Sequence, residues 1–176
     1  FRGDITAIAR CNMWLSCAER VYLQMGQFNA FTFTELFDGT KNLPWEMWIG
    51  ENDAFPVKGH SIKSQLYSIP DCQSIIKKAV DERLSKEYGI SWFTEDCVKY
   101  QIEFFILDNR VTLMIDTSGA PLHKRGYRPE AGAAPIRETL AAAIAMTARP
   151  REDTLFWDPF CGSGTIALEA AMIATN

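Results

Sequence analysis

Asp158, Pro159, Phe160, Cys161, Gly162, Ser163, Gly164 and Thr165 follow one another after the apolar run Leu155-Phe156-Trp157 and before the apolar stretch that begins at Ile166. A strand, a glycine-bearing turn and a helix in that order make the place where α/β proteins hold nucleotides, outside the carboxyl end of a strand. Gly162 and Gly164 would let main chain come close to a ligand, and the start of the following helix would offer free N–H donors. Gly162, Gly164 and Ala167 also fit the G-x-G-x-x-A dinucleotide spacing, which alone is a weak signal. No lysine follows the glycines, so a phosphate-cradling Walker loop is excluded.

Asp158 narrows the choice. A carboxylate at the strand end would repel a pyrophosphate and would suit a ligand with a cationic amino-acid part, such as S-adenosylmethionine. The bland alternative is an ordinary strand-to-helix turn with a capping aspartate. Cys161 has no histidine or other base in its motif, so it reads as a small buried residue of the loop rather than a nucleophile. His60 and His123 are too isolated to suggest a metal site, and no metal is expected.

Charge points to a second function. Residues 1–57 carry 4 Lys+Arg and 7 Asp+Glu, residues 58–129 carry 11 and 9, and residues 130–176 carry 3 and 6. The middle is the only basic region of a chain whose net charge is −4, so an anionic partner is sought there. Lys58, His60, Lys63 and Ser64 cluster around Gly59 and could donate to RNA phosphates. Lys124, Arg125 and Arg128 form a basic run beside Tyr127, whose ring offers a stacking face. For both groups a solvated loop is the competing reading. Lys77, Lys78 and Arg83 are expected only to solvate a helix face, and Trp45, Trp48, Trp92 and Phe93 to fill a core.

Helices are expected over residues 4–14, 32–38 (stopped by Gly39), 70–88, 135–148 and from Ser163 onward. The helix over 70–88 is the clearest: Pro70 suits its first turn, Ile75, Ile76, Ala79, Val80 and Leu84 make one apolar face, and Gly89 ends it. Strands are expected over 20–28, 54–61 (interrupted by Pro56 and Gly59), 98–107, 111–117 and 154–158, with Asp108-Asn109 as a tight turn. Residues 118–134 are rich in Gly, Pro and Ala and read as a linker.

The 176 residues are 47% hydrophobic and 23% charged, which excludes disorder, collagen and a coiled coil. No apolar run approaches the roughly 18 residues of a membrane span. Five cysteines with no Cys-x-x-Cys pair fit neither a disulfide framework nor a zinc site, and suggest a cytoplasmic protein. The start has neither an initiator Met nor the apolar core of a signal peptide, and one strand with two helices after residue 134 leaves an α/β core unclosed. Either processing or a start inside a longer protein is therefore expected at the beginning, and truncation of the second unit at the end.

Asp-Pro-Phe-Cys-Gly-Ser-Gly-Thr-Ile-x-x-Glu-Ala-Ala at 158–171 resembles the first cofactor motif of class I S-adenosylmethionine-dependent methyltransferases that act on nucleic-acid amino groups. Residues 122–129 (Leu-His-Lys-Arg-Gly-Tyr-Arg-Pro) and 134–141 (Ala-Pro-Ile-Arg-Glu-Thr-Leu-Ala) resemble the segment before that motif in the THUMP-domain RNA methyltransferases, close to the bacterial large-subunit rRNA guanine-N2 enzymes. Proteins of this kind are often labelled N6-adenine-specific DNA methylases. Residues 54–84 resemble their THUMP region.

The resemblance implies an α+β THUMP-like module over 1–117, lacking its N-terminal part, then a linker over 118–134 and the beginning of an α/β Rossmann-like methyltransferase domain over 135–176. It implies S-adenosylmethionine as cofactor, held by residues 158–165, and RNA, most naturally rRNA, as partner. The family's Asn/Asp-Pro-Pro-Phe/Tyr catalytic motif does not occur in these residues, so the catalytic residues are expected beyond Asn176 and the chain alone is expected to be inactive. A DNA adenine-N6 methyltransferase, an RNA-binding module with a vestigial catalytic part, and a dinucleotide-dependent oxidoreductase remain as alternatives.

Overall fold

A computed structural model describes residues 2–90, 93–94, 96–127 and 135–175. In chain order its elements are α1 (Ile5–Trp14), β1 (Tyr22–Asn29), α2 (Phe33–Lys41), β2 (Val57–Ile62), α3 (Ile69–Tyr88), β3 (Ile102–Leu107), β4 (Arg110–Asp116), α4 (Glu138–Ala148) and α5 (Thr165–Ala174), with a 3-10 turn at Trp45–Met47. Two compact units form: Tyr22–Gly119 is one, and the residues up to Val21 join those from Ala120 onward in the other. A linear division at residue 117 does not express this pairing of the first residues with the last.

The Tyr22–Gly119 unit is built on a four-stranded sheet in the order β1-β4-β3-β2. β2 runs parallel to β3, and the other neighbours are antiparallel. A parallel pair needs a crossover, and α3 supplies it. Pro70 lies in the first turn of α3, and Gly89 closes it at φ 69°, a backbone sign that glycine adopts without a Cβ penalty. Its Cys72, Ile76, Val80 and Leu84 share one buried core with the sheet's Ile102, Phe104, Ile106, Val111, Leu113 and Ile115, and Ala79 is buried as well. Asp108 (φ 49°) and Asn109 (φ 63°) both take positive φ, as the two-residue hairpin between β3 and β4 requires.

Several expected boundaries shift for physical reasons. α2 begins after Thr32, whose hydroxyl accepts from the Glu35 amide while the Glu35 carboxylate accepts from the Thr32 amide. It does not stop at Gly39. The Phe28 ring lies where a side chain on residue 39 would be, 2.3 Å from an ideal Cβ, so glycine here makes room for packing. Gly59 likewise does not interrupt its strand, which begins only after Pro56, because proline cannot donate to a ladder. Regular pairing of β3 starts at Ile102, with a single bridge from Ala54 to Lys99 before it.

Trp45 is fully buried and its indole N–H donates to the Thr40 carbonyl at 2.8 Å. Phe93 meets Phe55 edge-on with centroids 5.4 Å apart, and Trp48 is partly buried beside the same core. Trp92 lies outside the described residues. Arg83, expected only to solvate, instead forks onto the Glu46 carboxylate, with Nε 3.1 Å from Oε2. That pairing holds the Glu46 carboxyl below its ordinary range. Lys77 and Lys78 lie over the rings of Phe55 and Phe37.

In the other unit α1 is capped by Asp4, whose carboxylate accepts from the Ala7 amide at 3.0 Å. α4 and α5 pack together through Ala141, Ala142, Ala145 and Ala170, small residues that allow close approach. The helices start at Glu138 and Thr165, slightly later than expected. The expected strand over residues 154–158 does not form. Leu155 is 92% exposed and Trp157 79%, and among the described residues of this unit no strand offers them a ladder. A strand's main-chain groups need a partner, and an isolated apolar run cannot hold that conformation by itself.

Candidate functional site

The loop before α5 is folded by its own main chain and by Asp158. One Asp158 carboxylate oxygen accepts from the Phe160 amide at 3.1 Å, and the Gly164 amide donates to the Cys161 carbonyl at 2.7 Å. Gly162 (φ 52°) and Gly164 (φ 74°) both lie in the left-handed region. A Cβ at Gly164 would meet nothing within 4 Å, so the demand for glycine there comes from backbone sign and not from crowding. Ser163 and Thr165 hydroxyls are 3.2 Å apart, and Thr165 is buried as the first residue of α5. The first turn of a helix leaves amide donors without intrahelical acceptors, and they face the loop.

The second oxygen of Asp158 is buried and has no hydrogen-bond partner among the described residues. A buried carboxylate oxygen is costly without a donor, so this atom is where a ligand's ammonium or hydroxyl would be welcome. Around it Phe160 is 94% exposed, and Pro159, Gly162 and Ser163 are also exposed. Cys161, expected to be buried, is exposed as well. The loop therefore presents main chain and one wanting carboxylate oxygen, the features that the sequence assigns to a site for S-adenosylmethionine.

One turn along α5, Glu169 is only 1% exposed. Its carboxylate accepts from Arg125 Nη1 and from the Tyr127 hydroxyl, both at 2.5 Å. Arg125 also donates to the Ser16 carbonyl. Arg125 was expected to face RNA; its guanidinium is committed inward, because a buried carboxylate needs a paired, hydrogen-bonded cation. Close by, Glu19 accepts from Thr139 Oγ1 and meets His123 Nδ1, each at 2.7 Å. The Thr139 hydrogen bond, then that from His123, holds the Glu19 carboxyl below its ordinary value. Residues 122–127 are thus pinned at two points and do not behave as a free linker.

The other basic residues divide between the units. Lys58 and His60 are exposed two residues apart on β2, an edge strand. Lys63 is exposed just beyond it at φ 48°. Ser64 works internally: its hydroxyl donates to the Ile62 carbonyl at 2.8 Å and accepts from the Asn109 amide at 3.0 Å. It locks the end of β2 to the β3–β4 hairpin, so it is not a free donor for phosphate. Lys124 is exposed in the second unit. Arg128 lies outside the described residues. Among the described residues no group of three or more His, Cys, Asp or Glu could hold a metal, and no helix is long and apolar enough to cross a membrane.

Glu169 entered the sequence reading only as a letter of the motif over 158–171, without a role, and Glu19 did not enter it. Glu169 did carry a signal, as the single charged residue within the α5 run Thr-Ile-Ala-Leu-Glu-Ala-Ala-Met-Ile-Ala.

Three family models match the chain. Residues 30–116 match the THUMP domain, residues 125–176 match the methyltransferase domain described as RMKL-like, and residues 1–22 match the RlmL ferredoxin-like domain. The chain joins a THUMP domain to an RMKL-like methyltransferase domain. The THUMP match falls within the sheet-bearing unit, and the methyltransferase match contains the Asp158 loop and Glu169.

Longer proteins match the chain over nearly its whole length. The chain is 49% identical over 178 residues to the Bacillus subtilis protein named "Putative RNA methyltransferase YpsC", covering 46% of it. It is 53% identical to a Listeria monocytogenes structure described as "a predicted N6-adenine-specific DNA methylase", with a TM-score of 0.93 over 98% of this chain and 46% of that one. A structure described as "SMU.472, a putative methyltransferase complexed with SAH" is 42% identical, with a TM-score of 0.92 over 99% of this chain and 46% of that one. The chain thus spans about half the length of the relatives it matches.

Proposed function

We propose that the intact protein transfers a methyl group from S-adenosylmethionine to a base in RNA. The observation that carries this reading is the loop at 158–165, with its left-handed glycines and the unpartnered inner oxygen of Asp158. That oxygen fits the ammonium of the cofactor's methionine part, and the exposed main chain of residues 160–164 fits its approach. When bound, the cofactor supplies an electrophilic methyl carbon. This chain's residues hold and orient it: Asp158 by charge, Gly162 and Gly164 by allowing the loop's shape, and Pro159, Phe160, Cys161, Ser163 and Thr165 as the rest of the wall. The SAH found with SMU.472 supports a cofactor of this class.

RNA is favoured over DNA by the THUMP domain and by the name given to YpsC. Lys58, His60 and Lys63 on the THUMP unit, with Lys124 in the other, are the side chains we assign to phosphate. The finer reading is guanine-N2 in large-subunit rRNA, modified in the cytoplasm, with catalytic side chains other than those of these 176 residues. The name of the Listeria structure keeps adenine-N6 in DNA as a second reading. Neither a metal nor a membrane enters the proposal.

Calorimetry with SAH on the intact protein tests the cofactor site. Gly162→Val forces a β-branched side chain into a left-handed backbone, so binding is lost while the circular dichroism of the fold persists. Unchanged affinity in that variant removes the loop from the site.

A further inference from the structure

The buried carboxylate of Glu169 has no place in the ligand chemistry above, yet it binds together three stretches of chain. α5 contributes Glu169 itself, residues 122–127 contribute Arg125 and Tyr127, and Arg125 reaches on to the main chain at Ser16. Thr165 and Glu169 are four residues apart, one helical turn, and both are buried on the same side of α5. The residue that opens the helix and the residue that anchors it therefore share a face. The glycine loop ends at Gly164, immediately before that face begins.

The loop is mostly exposed. Phe160 is 94% exposed, and Cys161, Gly162 and Ser163 are exposed too. Local hydrogen bonds shape it, from Gly164 to Cys161, from Phe160 to Asp158 and between the Ser163 and Thr165 hydroxyls. Two left-handed glycines make it easy to deform. The loop runs directly into α5, so its position follows that helix, whose angle about its axis is set by packing on α4 and by the Glu169 clasp. Arg125 and Tyr127 donate to different oxygens of the carboxylate, Oε2 and Oε1, so they hold its plane as well as its charge.

We propose that Tyr127 and Arg125 act through Glu169 as positioning residues for the cofactor loop. This rests on the reading of residues 158–165 as the cofactor site. With the clasp intact the loop is held in its binding-competent shape. With it weakened, that shape becomes one of several, and the apparent dissociation constant rises by the inverse of the competent fraction.

The test uses the intact protein and SAH by calorimetry, with Tyr127→Phe as the main variant because it keeps the ring and the Arg125–Glu169 ion pair. Hydrogen exchange of the amides at 162–166 is measured beside it. The expected result is SAH binding weakened about fivefold, the scale of one lost hydrogen bond. Exchange at 162–166 becomes faster, while RNA affinity and protection in the THUMP unit stay unchanged. Glu169→Gln, which keeps the volume and one acceptor, shows the same pattern more strongly. Arg125→Lys, which keeps the charge and loses the fork, lies between wild type and Glu169→Gln. If wild type binds SAH and Tyr127→Phe and Glu169→Gln bind equally well, the positioning role is wrong. If wild type itself does not bind SAH, it is the cofactor reading that fails.

Discussion

Glu19 and His123 are 104 residues apart in the chain and 2.7 Å apart in space. The same glutamate accepts from Thr139 at 2.7 Å, and its main-chain carbonyl accepts from the Leu122 amide at 3.0 Å. One residue thus ties the end of the first segment to residues 122–123 and to α4. With its carboxyl held below the ordinary glutamate value of 4.5, Glu19 contributes stability that is complete above that value and is lost as the pH falls through the lower folded one. Glu19→Gln should therefore lower the melting temperature at neutral pH, and the two melting curves should converge as the pH falls below the ordinary glutamate range. Parallel melting curves at every pH would show that Glu19 titrates no differently in the folded chain.

Gly59 lies where β2 crosses Phe104 of β3, its register partner. An ideal Cβ there would come 2.1 Å from the Phe104 carbonyl oxygen and 2.5 Å from the ring. Backbone in a paired strand cannot move aside cheaply. Gly59→Ala should cost about 2–3 kcal/mol, read as a lower urea midpoint with an unchanged slope. A midpoint equal to wild type would mean that β2 and β3 are less closely apposed.

RNA affinity should depend on salt through a short list of side chains. Replacing Lys58 and Lys63 with Ala should flatten the slope of log K against log salt by about 1.4, at roughly 0.7 per phosphate of single-stranded RNA, and Lys124→Ala by about 0.7. Arg125 should add nothing of its own, because its guanidinium is taken by Glu169 and Ser16. Replacing Lys77 and Lys78 should change the slope little, since both lie over aromatic rings. A larger effect from Lys77 and Lys78 than from Lys58 and Lys63 would place the RNA on α3 instead of β2.

Local order was legible where one residue's own chemistry decides it. Pro70 and Gly89 bound α3, and Asp108-Asn109 turn the hairpin, because those residues prefer those backbone angles whatever surrounds them. Gly162 and Gly164 take left-handed backbone for the same reason. What escaped depends on partners distant in sequence. Gly39 continues a helix because Phe28, on another element, occupies the space beside it. Arg125 turns inward because Glu169, 44 residues later, is a buried carboxylate that a cation must pair. Residues 154–158 have a strand's composition and no strand's ladder, and no local pattern reports whether a neighbour is there.

The central claim is methyl transfer to RNA, and a labelled-methyl assay on the intact protein tests it directly. Protein, cofactor labelled at its methyl group, and either rRNA or duplex DNA are incubated, and the label is traced to the modified nucleoside. The account predicts label in RNA, recovered as N2-methylguanosine, and its loss in the Gly162→Val variant. Label recovered only in DNA, or no transfer to either nucleic acid, would contradict it.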